Sequence, residues 1–246
     1  MRLDIYIKEN KNIKSRARAK LLIESDRVKV NSVIKKNCNY EVKSEDIVEA
    51  EDLKFVSRAG YKLEYAFEVL LDKQAKDGLT IENKLCLDIG SSTGGFTDYL
   101  LQQNAKEVFC VDVGIEQFDQ DLLKNNTEKI KLFESTDIRD VVFSENKNFD
   151  IVVCDVSFIS LTHIIPSIKK YLSDKGFGVI LFKPQFEVGA GNTKKGIVKD
   201  SAIMGKVTQE RVKDFELAGI KVLDIFKSGI LGGDGNVEYI FYIRKY

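Results

Sequence analysis

The 246-residue chain is short of several things that would announce a function. Its single histidine, His163, makes a His-based zinc site a poor reading. Cys38, Cys86, Cys110 and Cys154 stand singly with no C-x-x-C pair, and three of them lie inside apolar runs, where a free thiol behaves as a small hydrophobe. A disulfide framework is therefore not expected, and no metal site is expected either. No stretch approaches the roughly 20 consecutive apolar residues that a bilayer-spanning helix needs. The opening MRLDIYIK has neither an apolar signal core nor a cleavage site, so secretion by the general route is not expected. Internal repeats and low-complexity segments are missing as well. An excess of one charge is also lacking, since 38 Lys/Arg balance 38 Asp/Glu. These absences describe a cytoplasmic globular protein, one large domain or a main domain with a small companion.

The overall balance conceals an uneven distribution. Residues 1–38 hold eleven Lys/Arg against four Asp/Glu, and the surplus is compensated further along the chain. A basic head on a slightly acidic body is the pattern expected where one end meets a polyanion, against the plainer reading of a solvated charged face. Arg16, Arg18, Lys20, Arg27 and Lys29 are the residues expected to reach phosphates.

Two rhythms divide the chain. In residues 1–55, Ser15 is placed to cap a helix beginning Arg16-Ala17-Arg18-Ala19-Lys20, and the alternation Arg27-Val28-Lys29-Val30-Asn31 predicts a half-buried strand with a turn at Asn31-Ser32. A second β segment over 46–49 closes this unit. A charged connector over 50–54 leads to a helical pattern over 59–71 that opens a second domain, residues 56–246. From there apolar strand candidates over 85–89, 108–113, 130–133, 150–155, 178–183, 221–226 and 237–243 alternate with helical patterns over 95–103, 117–124, 161–172 and 199–218. Runs such as Ile151-Val152-Val153-Cys154 are apolar on both faces, as central parallel strands covered by helices are. The last two strands are separated only by a glycine-rich loop, which predicts an antiparallel hairpin at one sheet edge. The fold class is α/β, a Rossmann-like seven-stranded sheet with a small N-terminal α+β domain.

The first core strand runs into Asp88-Ile89-Gly90-Ser91-Ser92-Thr93-Gly94-Gly95-Phe96 and then a helix. A dinucleotide site wants G-x-G-x-x-G and a phosphate-binding P-loop wants a lysine after its last glycine; this loop has neither. Asp88 before the first glycine would repel a pyrophosphate and would suit a ligand carrying an amine and a sulfonium, that is, S-adenosylmethionine. Asp112, with Val113, ends the second strand, where a carboxylate accepts ribose hydroxyls. Asp137 and Ile138 follow the third, where an adenine would lie. The plainer alternative is a glycine turn that only packs helix on strand.

Four charged residues stand at or beside the edge where such sheets bind ligands. Asp155 ends the fourth strand, Lys183 ends the fifth, Glu238 opens the last, and Lys62 lies on the helix entering the domain. A lysine ending an apolar strand is costly unless it is paired or deprotonated. Each residue alone reads as an ordinary salt bridge; four around one crevice read as chemistry. Residues 189–196, with Lys194-Lys195 among three glycines, read as a mobile loop beside the pocket.

The strings Val56-Ser57-Arg58 with Gly60 and Lys62-Leu63, Asp88-Ile89-Gly90 with Ser92-Thr93-Gly94-Gly95-Phe96-Thr97-Asp98, Val111-Asp112-Val113-Gly114, Asp155-Val156-Ser157-Phe158-Ile159-Ser160-Leu161, Lys183-Pro184-Gln185-Phe186-Glu187 and Gly235-Asn236-Val237-Glu238 resemble those of the TlyA family, often labelled haemolysin A. Its members join an S4-like RNA-binding domain to an FtsJ-like ribose methyltransferase. The resemblance covers essentially the whole chain. It implies methyl transfer from S-adenosylmethionine to the 2′-hydroxyl of a cytidine in 16S or 23S ribosomal RNA, with Lys62, Asp155, Lys183 and Glu238 as the catalytic set. It implies ribosomal subunits as partners, needs no membrane, and is compatible with a monomer. Ala59 and Ser32 depart from the family pattern, the second within the turn that presents the basic face. Phe158 and Phe186 stand where they could stack on an unpaired base. The competing readings are a non-catalytic RNA-binding or assembly factor, a methyltransferase of transfer RNA or a small molecule, and a membrane-lytic protein; the amphipathic 199–218 pattern is explained by packing on the sheet.

Overall fold

A computed structural model describes the chain apart from residues 12, 14, 75–78, 144–146, 190, 195, 234 and 246. It divides into two compact units, Met1–Arg58 and Ala59–Tyr246.

In the N-terminal unit, helix α1 (Leu3–Asn10) buries Leu3 and Ile7, one turn apart, against α2 (Arg16–Glu24), which buries Ala19, Leu22 and Ile23. Ser15 caps α2 as expected, its hydroxyl accepting from the Arg18 N–H at 3.1 Å. Helix α1 was not expected: two apolar positions in a charged octet give almost no periodicity to read. Strands β1 (Val28–Val30), β2 (Val33–Ile34) and β3 (Val48–Ala50) form an antiparallel sheet in the order β2-β1-β3. Val30 pairs with Val33 across a two-residue turn in which Asn31 and Ser32 both have positive φ, 52° and 65°. That turn matches strand twist best and favours Asn-Gly. Ser32 adopts the same conformation at a cost of about 1 kcal/mol. The Asn31 side chain compensates, donating to Asp46 Oδ1 at 2.8 Å and accepting from the Ile47 N–H at 2.9 Å.

The C-terminal unit opens with α3 (Arg58–Gln74), which buries Leu63, Ala66, Phe67 and Leu70 on one face together with Lys62. The strands that follow are β4 (Leu85–Ile89), β5 (Glu107–Val111), β6 (Ile130–Phe133), β7 (Phe149–Cys154), β8 (Leu172–Phe182), β9 (Ile220–Lys227) and β10 (Tyr239–Lys245). Among the described residues they form one seven-stranded sheet in the order β6-β5-β4-β7-β8-β10-β9, parallel except for β10, which runs against both neighbours. The antiparallel hairpin is present, with β10 inserted between β8 and the edge strand β9.

The interleaved helices are α4 (Gly95–Gln102), α5 (Gln120–Asn125), α6 (Ile165–Tyr171) and α7 (Ser201–Leu217). Two expectations need correction. The 117–124 helix starts at Gln120, because Asp119 caps it by accepting from the Leu122 N–H at 2.8 Å. The 161–172 helix is a short 3₁₀ turn, Leu161–His163, followed by α6 with Pro166 in its first turn. Strand β8 then begins at Leu172, and its register against β7 breaks between the pairs Phe149–Leu172 and Ile151–Phe177. Helix α7 packs against β9 and buries Val207 and Phe215. Among the described residues no helix is long and apolar enough to cross a membrane.

Candidate active site

The site forms where β4, β5 and β7 end side by side. Gly90 follows β4 with φ of +80°, and a Cβ there would stand 2.7 Å from the Asp155 carbonyl oxygen. Only glycine lets this backbone turn so close to its neighbour. The turn opens a cavity of about 610 Å³ whose wall includes Gly90, Ser92, Asp112, Val113, Asp137, Ile138, Asp155 and Phe158. Asp112 organises the loops around it, Oδ2 accepting from the Ser92 N–H at 2.8 Å and Oδ1 from the Gly114 N–H at 2.7 Å. Asp137 is held by Arg139, with an ion pair of 2.6 Å; the hydrogen bonds from Arg139 outweigh partial burial and lower its carboxyl pKa.

Asp88, Thr93, Gly94, Gly95 and Phe96 do not reach the cavity wall. Asp88 is completely buried beneath the loop, where Oδ2 accepts from the Thr97 hydroxyl at 2.6 Å and Oδ1 has no hydrogen-bond partner among the described residues. Burial pushes its pKa up to about 7 against the Thr97 bond, with the charges of Asp155 and Asp112 adding to the rise. Gly94 and Phe96 belong to the packing beneath: Gly94 has φ of +89°, and a Cβ there would meet the Phe118 ring at 2.8 Å. The sequence reading missed Gln117 and Thr136 on the wall, since polar residues in loops carry no periodic signal.

Beside the cavity, the four charged candidates come together in one alternating chain. Glu238 Oε2 lies 2.6 Å from Lys62 Nζ, Lys62 Nζ lies 4.0 Å from Asp155 Oδ2, and Lys183 Nζ lies 2.6 Å from Asp155 Oδ1. Their side chains are between 3% and 14% exposed, so these charges interact with little screening by water. Lys183 also donates to Ser157 Oγ at 2.7 Å, a partner the sequence reading had not assigned. Gly232 makes room for Glu238, whose Oε1 would lie only 2.6 Å from a Cβ at that position. Asn236, buried two residues earlier, accepts from the Val198 N–H and donates to the Gly196 carbonyl. It thereby ties Gly196, at the end of the expected 189–196 loop, to the segment leading into β10. Lys194 bridges Ile197 in that loop, and Lys195 lies outside the described residues.

The five basic residues expected on RNA divide differently. Arg18 ion-pairs with Asp52 at 2.8 Å and donates to the carbonyls of Leu53, Phe55 and Val56. The expected 50–54 connector is thus partly strand and partly a segment strapped down by Arg18, with Leu53 and Phe55 buried. Arg16 pairs with the buried Asp4 at 2.8 Å, and Arg27 pairs with Glu51 at 3.0 Å. Lys20 lies 3.7 Å from Glu24, both largely exposed, and Lys29 is exposed on β1.

A parallel glycine-loop sheet with an inserted antiparallel strand, and an acid ending each of the two strands beside the loop, define an α/β methyltransferase. The chain belongs to the FtsJ-like methyltransferase family, which it matches over residues 55–245, in the TlyA branch that carries an S4 domain, matched over residues 1–48. It is 39% identical over 243 residues to Hemolysin A of Brachyspira hyodysenteriae, covering 98% of each chain. It is 37% identical, over all of both chains, to the 23S rRNA (cytidine-2'-O)-methyltransferase TlyA of Campylobacter jejuni. A solved structure named as a hemolysin, from Streptococcus thermophilus, superposes with a TM-score of 0.75 at 33% identity, covering 100% of this chain and 88% of that one.

Proposed function

We propose that this protein transfers a methyl group from S-adenosylmethionine to the ribose 2′-hydroxyl of a cytidine in ribosomal RNA, acting in the cytoplasm. The observation that carries the reading is the Glu238–Lys62–Asp155–Lys183 chain, because Asp155 is shared between it and the cavity wall. One carboxylate therefore joins a ligand pocket to two buried amines. The residues present fit the cofactor. The Gly90 turn admits a close backbone approach, Asp112 retains lone pairs for a diol, and Val113 and Ile138 supply apolar walls for a ring. When bound, S-adenosylmethionine supplies an electrophilic sulfonium methyl.

The chain's own residues do the rest. Asp155 and Ser157 fix Lys183, which orients the 2′-hydroxyl and takes up its proton. Glu238 holds Lys62 where its positive charge steadies the developing oxyanion. Phe158 is 90% exposed at the cavity rim, with the Phe186 ring 4.9 Å away, and this pair offers an unstacked base a platform. Most of the rate comes from holding two reactants in line.

The test is transfer of labelled methyl to purified 30S and 50S subunits that lack the modification, with Lys183→Ala as control. Label in ribose-methylated cytidine, absent with the variant, is expected and also names the subunit. Cofactor binding without transfer to either subunit would overturn the proposal in favour of another RNA or an assembly role. The protein's own lysis of membranes is not expected, and leakage of liposomes by the pure protein would overturn that expectation.

A further inference from the structure

Phe158 is held in a conformation it would not choose. Its φ is +62°, a region that costs a bulky residue energy and that persists only where surrounding contacts over-determine it. It is also almost fully exposed, so its own burial does not supply the restraint. The restraint comes from both flanks. On one side, Ser157 Oγ accepts from Lys183 at 2.7 Å. On the other, Glu187 grips the next turn with both carboxylate oxygens, Oε2 accepting from the Ser160 hydroxyl at 2.6 Å and Oε1 from the Leu161 N–H at 2.8 Å.

Glu187 is itself 2% exposed and is braced from α7. Arg211 Nη1 lies 3.4 Å from Glu187 and donates to Ser160 Oγ at 3.1 Å, while Asp214 holds the other end of the guanidinium at 3.0 Å. The loop after β7 and the turn after β8 are therefore clasped twice, with the Phe158–Phe186 pair between the clasps. A buried carboxylate with an arginine counter-ion is an expensive device for closing a surface loop, and it is informative here because it fixes an exposed aromatic.

We infer that Glu187, braced by Arg211, is a positioning residue that holds Phe158 upright at the cavity rim and through it places the target nucleotide. This rests on the methyl-transfer reading for its consequence, though not for its geometry. The benefit is preorganisation: an aromatic already fixed loses less entropy when a base stacks on it.

The test separates geometry from activity. Glu187→Ala would strand the Arg211 guanidinium and risk misfolding, so Glu187→Gln and Ser160→Ala are used, with thermal melts to verify folding. With 4-fluorophenylalanine incorporated at position 158 alone, both variants are expected to shift or broaden its ¹⁹F resonance, while calorimetric affinity for S-adenosylhomocysteine stays at the wild-type value. An unchanged resonance in both would overturn the inference. In methyl transfer to ribosomal subunits, each variant is expected to raise KM for the subunit about tenfold with kcat little changed. Added to Phe158→Ala, neither is expected to cause further loss, because residues acting through one group are not additive. Additive losses would overturn the inference, since a merely structural role gives additivity. Should the wild-type protein methylate neither subunit, the proposed function falls while the ¹⁹F result still decides the clasp.

Discussion

The two units use lysine and arginine differently. In the N-terminal unit, basic side chains are spread over the surface and several are paired with acids from the same unit: Arg16 with Asp4, Arg27 with Glu51 and Arg18 with Asp52 and three carbonyls. In the C-terminal unit, two lysines are drawn into one nearly buried chain with two acids at the sheet edge. A surface pair contributes little, and its members stay available to exchange a carboxylate for a phosphate. A buried pair is costly to assemble, and breaking it strands a charge, so its members are fixed in place. Within the small unit Arg18 behaves like the second kind. The difference lies in burial and partner number rather than in residue type.

The sharpest way to test this contrast is Lys183→Ala. It is expected to lower methyl transfer by about 100-fold or more while S-adenosylhomocysteine affinity changes little, as measured by single-turnover transfer and calorimetry. Retained turnover would place Lys183 with the ordinary surface lysines.

Next comes Asp88, whose ionisation is shifted mainly by burial. Its folded pKa of about 7 stands above the ordinary 3.8. Below about pH 4 the folded and unfolded chains both hold the proton, and the contribution to stability is complete. Between about 4 and 7 the unfolded chain releases a proton that the folded protein keeps, so stability falls as pH rises. Above about 7 the loss is full, on the order of a few kcal/mol. Asp88→Asn is expected to remove this pH dependence and to be more stable than the wild type at pH 8, by urea denaturation at pH 4 to 8. A parallel decline in both proteins would refute it.

Gly90→Ala is expected to lose about 2–4 kcal/mol through its positive φ and the contact with the Asp155 carbonyl, and to weaken cofactor binding in the same preparation.

The smallest unit supplies the finest comparison. Arg18→Ala is expected to lose about 2–3 kcal/mol, because three carbonyls lose a charged donor, measured as a lower denaturation midpoint. Lys29→Ala is expected to stay within about 0.5 kcal/mol of wild-type stability. It should instead weaken RNA binding across sequences and reduce the salt slope by about one. The reverse ranking would dissolve the distinction between brace and phosphate contact.

Much of this was legible in the residues. The apolar runs located every strand of the large sheet, most sharply the central ones, since strands covered on both faces need apolar residues throughout. Ser15 marked a helix start, and Gly90 after Asp88 marked the turn that opens the cavity. Other features carry little sequence signal: α1 rests on Leu3 and Ile7, β2 is two residues long, and the break in β8 has no composition of its own. Within the site, Asp112 and Asp137 line the cavity while Asp88, equally acidic and equally at a strand end, is sealed beneath it. Which side of the backbone turn a carboxylate takes depends on packing around it.

The division between sequence and tertiary structure follows from range. Periodicity, capping and turn chemistry act over a few residues, so the order of elements, the fold class and the four charged candidates could be read directly. Partner choice acts across the chain. Lys62 meets Glu238 over a separation of 176 residues, and Glu187 reaches back 27 residues to Ser160. No local rule says which of the chain's many carboxylates a lysine will find, or that Arg18 will hold three backbone carbonyls. Those decisions were made by the closing of the sheet and the packing of helices on it, which determine which charges leave water and therefore which must be paired.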